Sequence, residues 1–295
     1  MLALGGNHKI FDEEIFSISP SGTPIKVMYE YVCEENEANY INWINKVAYS
    51  NNRFSFRLKM KKKPKSLRVF SSIIKWKLHS IALNLFYKNN PTIFIEPMGL
   101  ISAEWFARKF DTKMLVIIRH PASFVSSIKR WETRGKGRPD HSNFSLFLNQ
   151  YELMDKLLGD YKKDMENSLS NGDDLIARNI IVWNMMYSVV KYYQENNPDW
   201  IFIRHEDLAK DPIRGFRKLY KKLEIDFDDF HKQAIIKHCL NSNPSEAPTN
   251  NPGLIKRNSL ATITNWKNRL SEEEIYRIRS GTWDVSKHWY SESDW

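Results

Sequence analysis

The chain has 295 residues, with 44 Lys and Arg against 35 Asp and Glu, for a formal charge of +9. That length suits one large α/β domain or two small ones, and 42% hydrophobic with 13% aromatic content excludes a disordered or collagen-like chain. The basic surplus points to an anionic ligand: a nucleotide, a polyanionic substrate, nucleic acid or a membrane surface.

No run approaches the ~18 apolar residues that a membrane span requires. The opening stretch Met1-Leu2-Ala3-Leu4-Gly5-Gly6 has neither the basic n-region nor the apolar length of a secretory signal, so a cytoplasmic location is expected. Two cysteines, Cys33 and Cys239, allow at most one disulfide and exclude a Cys₄ metal site; two separate reduced thiols are the expectation.

In chain order, residues 57–68 (RLKMKKKPKSLR) form the densest positive patch. It reads as a solvated loop leading into a helix over 67–87, or as a contact for a sulfated or phosphorylated polymer, nucleic acid or anionic lipid. No aromatic residue is interleaved in it, which argues against single-stranded nucleic acid. Short apolar runs at 93–95, 114–118 and 200–203 predict buried strands of a parallel sheet. Helical spacing separates them, over 102–110, 144–164 and 175–193, and continues over 212–223 and 271–289. Strand and helix alternating in this way predict βαβ units. Asp211-Pro212 marks a helix start, and Ser271 with Glu274 makes a capping box. Residues 133–142 and 241–258 are polar and rich in turn formers, and read as surface loops.

The segment Met114 to Pro121 is a hydrophobic strand that ends in Arg119-His120-Pro121. Ligands of open α/β sheets sit beyond the carboxyl ends of strands, where this order puts Arg119. Ser123, Ser126 and Ser127 follow in the first turns of the next helix, where backbone N–H groups and the helix dipole favour an anion. An arginine fork with a serine hydroxyl makes a phosphate clamp; the alternative is an arginine that caps the strand and pairs with an acid. The histidines His8, His79, His120, His141 and His205 are scattered singly and suggest no metal site.

Arg119-His120-Pro121 with Ser127 eight residues after the arginine resembles the 3′-phosphate-binding motif of nucleotide-dependent sulfotransferases. LVIIRHPASFVSSIKRW, after Ser102-Ala103-Glu104-Trp105 and Phe110-Asp111, is similar to the bacterial branch of that family. Trp200 to Leu208 with Asp211-Pro212 resembles its "W-x-x-V-x-x-E-D-L…D-P" stretch, with Ile203 in place of the valine. Trp266-Lys267, Leu270 to Glu274 and the ending Tyr290 to Trp295 are similar to its C-terminal segment, so the resemblance runs from about Glu14 to Trp295.

The resemblance implies a P-loop-like three-layer α/β fold with a central, mainly parallel sheet flanked by helices. It implies 3′-phosphoadenosine 5′-phosphosulfate as sulfuryl donor, a glycan or small-molecule hydroxyl or amine as acceptor, no metal, and no nucleic-acid partner. Arg119 and Ser127 would bind the nucleotide 3′-phosphate, with Arg257 and Ser259 as a second contact. Glu14 would be the catalytic base, with Glu13 as its neighbouring substitute. Family members open with a strand and a Gly/Ser/Thr-rich loop that cradles the 5′-phosphosulfate, and nothing like it occurs here. Residues 1–295 are therefore expected to form one sulfotransferase-like domain shortened at its N-terminus, with Met1 to Leu4 as the tail of a helix closed by Gly5-Gly6. A second departure is Ile95-Glu96-Pro97, where relatives carry K-D-P; the reading preferred here is that Glu96-Pro97 ends the strand. These departures leave a second function open, a non-catalytic binding protein that keeps the fold.

Overall fold

The structure, a computed structural model, describes residues 9–12, 16, 23–48, 92–132, 143–246 and 256–295. Glu13, Glu14, Met1 to Gly6 and the basic run at 57–68 lie outside the described residues. Two compact units divide the chain, one ending at Trp105 and the other beginning at Phe106.

In the first unit, strands β1 (Lys9–Asp12) and β2 (Thr92–Ile95) pair in parallel, from Lys9 opposite Thr92 to Asp12 opposite Ile95. The strand expected at 93–95 is β2. Its end is fixed as anticipated, because Pro97 opens the 3-10 turn Pro97–Ser102 and the Glu96 carboxylate accepts the Phe16 N–H at 3.5 Å. Gly99 sits against Phe16 so closely that a Cβ would lie 2.7 Å from the ring, which explains a glycine there. Ser102 ties the unit together: its hydroxyl accepts the Val32 N–H and donates to the Glu30 carbonyl, each at 2.8 Å. Helices α1 (Ile41–Ala48) and α2 (Ala103–Phe110) follow these segments.

In the second unit, β3 (Leu115–Ile118) and β4 (Ile201–Arg204) pair in parallel, Leu115 opposite Ile201 through Ile118 opposite Arg204. Parallel strands need a crossover, and here the crossover contains helices α3 (Pro121–Glu132), α4 (Phe144–Leu148), α5 (Lys162–Asn171) and α6 (Leu175–Asn196). After β4 come α7 (His205–Lys210), α8 (Pro212–Lys222), α9 (Asp229–Cys239), α10 (Ser259–Thr264) and α11 (Glu272–Ser286). A mostly helical chain with short parallel strands is the α/β class that the alternation predicts.

One expected helix is broken. The spacing over 144–164 predicts a continuous helix, but α4 stops at Asn149 and Gln150 turns extended, with ψ of 91°. A π turn (Met154–Leu158) and a 3-10 turn (Gly159–Tyr161) then lead into α5. The apolar residues keep their spacing because Phe144, Phe147, Leu153 and Leu158 are all buried, so packing satisfies the pattern without helical continuity. The predicted helix starts hold: Asp211 accepts from the Arg214 N–H at 3.2 Å, and Ser271 and Glu274 exchange both capping bonds, at 3.2 and 2.8 Å.

Two hydrophobic clusters anchor this unit. Ala122 and Val125 of α3 pack with Ile176 of α6, Trp266, Leu270 and Ile278 of α11. Ile201 of β4 packs with Leu208, Phe216, Leu219, Tyr220 and Ile235. Helices α6 and α11 touch at Gly281, where an added Cβ would meet Ile180 at 2.8 Å and where Asn184 donates to the Gly281 carbonyl at 2.8 Å. Cys33 and Cys239 are both free thiols, and burial pushes the Cys239 thiol up to about 11. Among the described residues no helix is long and apolar enough to cross a membrane.

Candidate functional site

Arg119 is the first residue after β3, and its main chain is pinned by α6. Its N–H donates to the Tyr187 hydroxyl at 2.9 Å, and its carbonyl accepts the Trp183 indole N–H at 3.2 Å. Trp183 and Tyr187 are themselves stacked, with centroids 4.3 Å apart. The next N–H, that of His120, donates to Glu206 at 3.1 Å, while the other Glu206 oxygen accepts the Tyr290 hydroxyl at 2.9 Å. Burial alone would raise the Glu206 carboxyl, but these donors and His205 outweigh it and hold the group at about 2. Glu206 is therefore a structural anchor, as its place in the turn after β4 suggests. The His120 ring is packed between Trp266, Tyr290 and Trp295, at centroid distances of 5.1, 4.8 and 4.3 Å.

With the backbone fixed, the Arg119 side chain has one internal bond: Nε donates to Ser123 Oγ at 3.1 Å. Both Nη groups lack a protein partner among the described residues, and Arg119 lines a pocket of about 210 Å³. Burial lowers the guanidinium below the usual arginine value, Tyr187 and Glu206 oppose that shift, and Arg269 adds to it. Ser127 lines the same pocket from the second turn of α3, and its hydroxyl has no partner among the described residues.

Arg257 lines it from the segment that precedes α10. Its N–H donates to the His238 carbonyl at 2.9 Å, and one Nη donates to the Lys256 carbonyl at 2.7 Å. The following residue, Asn258, donates to the Pro244 carbonyl at 3.1 Å and caps α10 by accepting the Ala261 N–H at 3.1 Å. Three residues distant in sequence, Arg119, Ser127 and Arg257, thus meet at one cavity. Ser259 is placed differently: it is not among the lining residues, and its hydroxyl donates to the Cys239 carbonyl at 3.4 Å.

The structure corrects one detail of the expected clamp. The first turn of α3 is not an open anion site, because Pro121, Ala122 and Ser123 are buried and Ser123 is used up in holding Arg119. The pocket instead runs along the next turns, where Ser127, Arg130 and Trp131 share a face. Arg130, Arg269 and Glu246 were not singled out by the sequence. Arg130 was within reach, being one helical turn after Ser127. Arg269 and Glu246 reach the pocket from segments whose meeting with α3 only the fold determines.

Among the described residues, four arginines and one carboxylate, Glu246, line this cavity. Burial lowers the guanidinium pKa of Arg257 and Arg269 as well, so these two cations are partly desolvated. Such a site is built for an anion that presents several acceptor oxygens, as a phosphate monoester does. Among the described residues no three His, Cys, Asp or Glu side chains group as a metal site.

No curated protein and no solved structure matches this chain. A family model does, the Sulfotransferase domain, over residues 14–284. That span takes in strands β3 and β4 and every residue named as lining the pocket. The chain belongs to the sulfotransferase domain family.

Proposed function

We propose that this protein transfers a sulfuryl group from 3′-phosphoadenosine 5′-phosphosulfate to a hydroxyl or amine of a glycan or small molecule. The observation that carries this reading is the convergence of Arg119, Ser127 and Arg257 on one arginine-rich pocket in a chain of this family. Arg119 offers two Nη groups, Ser127 a hydroxyl and Arg257 a second guanidinium, a donor set matched to the three outer oxygens of the nucleotide 3′-phosphate. The residues Trp183, Tyr187 and Ser123 do not touch the ligand; they hold Arg119 in place before it arrives. Pre-set donors need not be ordered on binding, which lowers the entropic cost of binding.

The transfer itself resembles phosphoryl transfer, in which positioning and charge stabilisation supply most of the rate. The acceptor oxygen or nitrogen forms the new bond to sulfur while the bond from sulfur to the 5′-phosphate oxygen breaks. Glu14, or Glu13 beside it, takes the acceptor proton, and 3′-phosphoadenosine 5′-phosphate leaves with the electron pair. The test is release of 3′-phosphoadenosine 5′-phosphate from the donor in the presence of pooled glycan and phenolic acceptors. Acceptor-dependent release supports the reading. Tight nucleotide binding with no release under any acceptor favours the non-catalytic binding protein instead.

A further inference from the structure

Glu246 is the one carboxylate among the described residues that line the pocket. One of its oxygens accepts Arg269 Nε at 2.9 Å and also pairs with Arg269 Nη2, while the other pairs with Arg130 Nη1. The Glu246 carboxylate is therefore ion-paired with two guanidiniums, and the remaining two, Arg119 and Arg257, have no carboxylate partner among the described residues. The carboxylate is placed by its own chain segment. Asn265 donates to the Ser245 carbonyl at 2.8 Å, and Asn258 fixes Pro244 from the other side.

Size does not restrict this pocket to a single phosphoryl group: about 210 Å³ is several times the ~30 Å³ that one water fills in the liquid. Charge does. We infer that Glu246 is a specificity-determining residue, which fills the Arg130–Arg269 half of the pocket with an internal negative charge so that the other half accepts one phosphate monoester and rejects a diphosphate. This rests on the reading of the pocket as a phosphate site. A second phosphoryl group attached to the first must either displace Glu246 from two charge-assisted pairs or lie against it as a like charge, and both are unfavourable. The pocket would then separate nucleotides with a 3′-monophosphate from those with a 3′-diphosphate.

The probes are inorganic phosphate and inorganic pyrophosphate, titrated calorimetrically at one ionic strength into the wild-type chain and into Glu246→Gln, with thermal unfolding as the check on folding. The wild-type chain should bind pyrophosphate no more tightly than phosphate, because the extra charge meets Glu246, and Glu246→Gln should shift the ratio toward pyrophosphate by about tenfold or more. A folded Glu246→Gln chain with an unchanged preference overturns the inference. So does a wild-type chain that binds pyrophosphate more tightly than phosphate, whether or not the variant folds. Arg119→Ala separates this failure from failure of the phosphate-site reading. If Arg119→Ala removes phosphate binding while Glu246→Gln leaves the preference unchanged, only the role of Glu246 falls; if Arg119→Ala leaves phosphate affinity untouched, the phosphate site falls with it.

Discussion

Replacing Arg119 by alanine removes the guanidinium and leaves its support intact, because Tyr187 and Trp183 bind the main chain of residue 119 rather than its side chain. The fold should lose little: one hydrogen bond, from the charged guanidinium Nε to the Ser123 hydroxyl, contributes about 1.5–3 kcal/mol, and relief of the burial of the cation, and of the repulsion from Arg269, offsets part of it. The ligand should lose much more. Two Nη donors to a dianionic phosphate make charge-assisted bonds in a partly desolvated site, and losing them costs about 2–4 kcal/mol, roughly 30- to 1,000-fold in affinity. Lysine should recover only part of this, since a point charge cannot reproduce the planar fork or the bond to Ser123. Calorimetric titration of 3′-phosphoadenosine 5′-phosphate into wild type, Arg119→Ala and Arg119→Lys measures the series. An Arg119→Ala chain that melts near the wild-type temperature and binds with unchanged affinity would mean that Arg119 does not hold the nucleotide.

Ser127→Ala should cost about 1 kcal/mol of nucleotide affinity, and its effect should shrink in the Arg119→Ala background because both groups hold one phosphate; strict additivity would mean that they do not share a ligand. Glu14→Gln should abolish most turnover while leaving nucleotide affinity intact, and turnover within a few-fold of wild type would move the base elsewhere. Acid should destabilise the protein in a specific window. Burial pushes His120 down to about 4, with Arg204 and Lys267 adding to the shift and Glu206 and Asp294 opposing it. The unfolded chain therefore takes up this proton first, and stability that is complete above the ordinary value near 6.5 is lost as pH falls toward about 4. That loss amounts to about 2–3 kcal/mol by pH ~4.5, and Glu206 adds a second loss below its ordinary 4.5, extending toward about 2. Urea unfolding of wild type and His120→Phe at pH ~7 and ~4.5 isolates the first step, which the variant should lack; an equal acid loss in both chains would assign it elsewhere.

Much of this was legible in the sequence where the physics is local. Leu115 to Ile118 and Ile201 to Ile203 are unbroken apolar runs, and they do form paired parallel strands, but the burial expected of them is only partial, since Val116, Ile118 and Ile201 are buried while Ile117 is exposed. Helix starts at Asp211 and Ser271 depend on side chains within four residues of the N–H groups they cap, so spacing suffices to find them. Strand β1 could not be found the same way: Lys9-Ile10-Phe11-Asp12 is short, has a charge at each end, and is extended because it pairs with β2, far along the chain. The site divides along the same line. Arg119 and Ser127 stand on one strand–helix turn and are visible as a motif, and Arg257 was recovered by resemblance. Glu246 and Arg269 matter because of what they neutralise across space, which no window of sequence encodes.

If this arginine-rich pocket holds the 3′-phosphate of an adenosine nucleotide, two nucleotides that differ only in that group should bind it very differently. Calorimetric titration of the full chain with 3′-phosphoadenosine 5′-phosphate and with adenosine 5′-phosphate isolates that group. A 3′-phosphate held by Arg119, Ser127 and Arg257 should tighten binding by about a hundredfold or more, with an advantage that declines as salt rises. Equal affinity for the two nucleotides, or no binding of either, would contradict it.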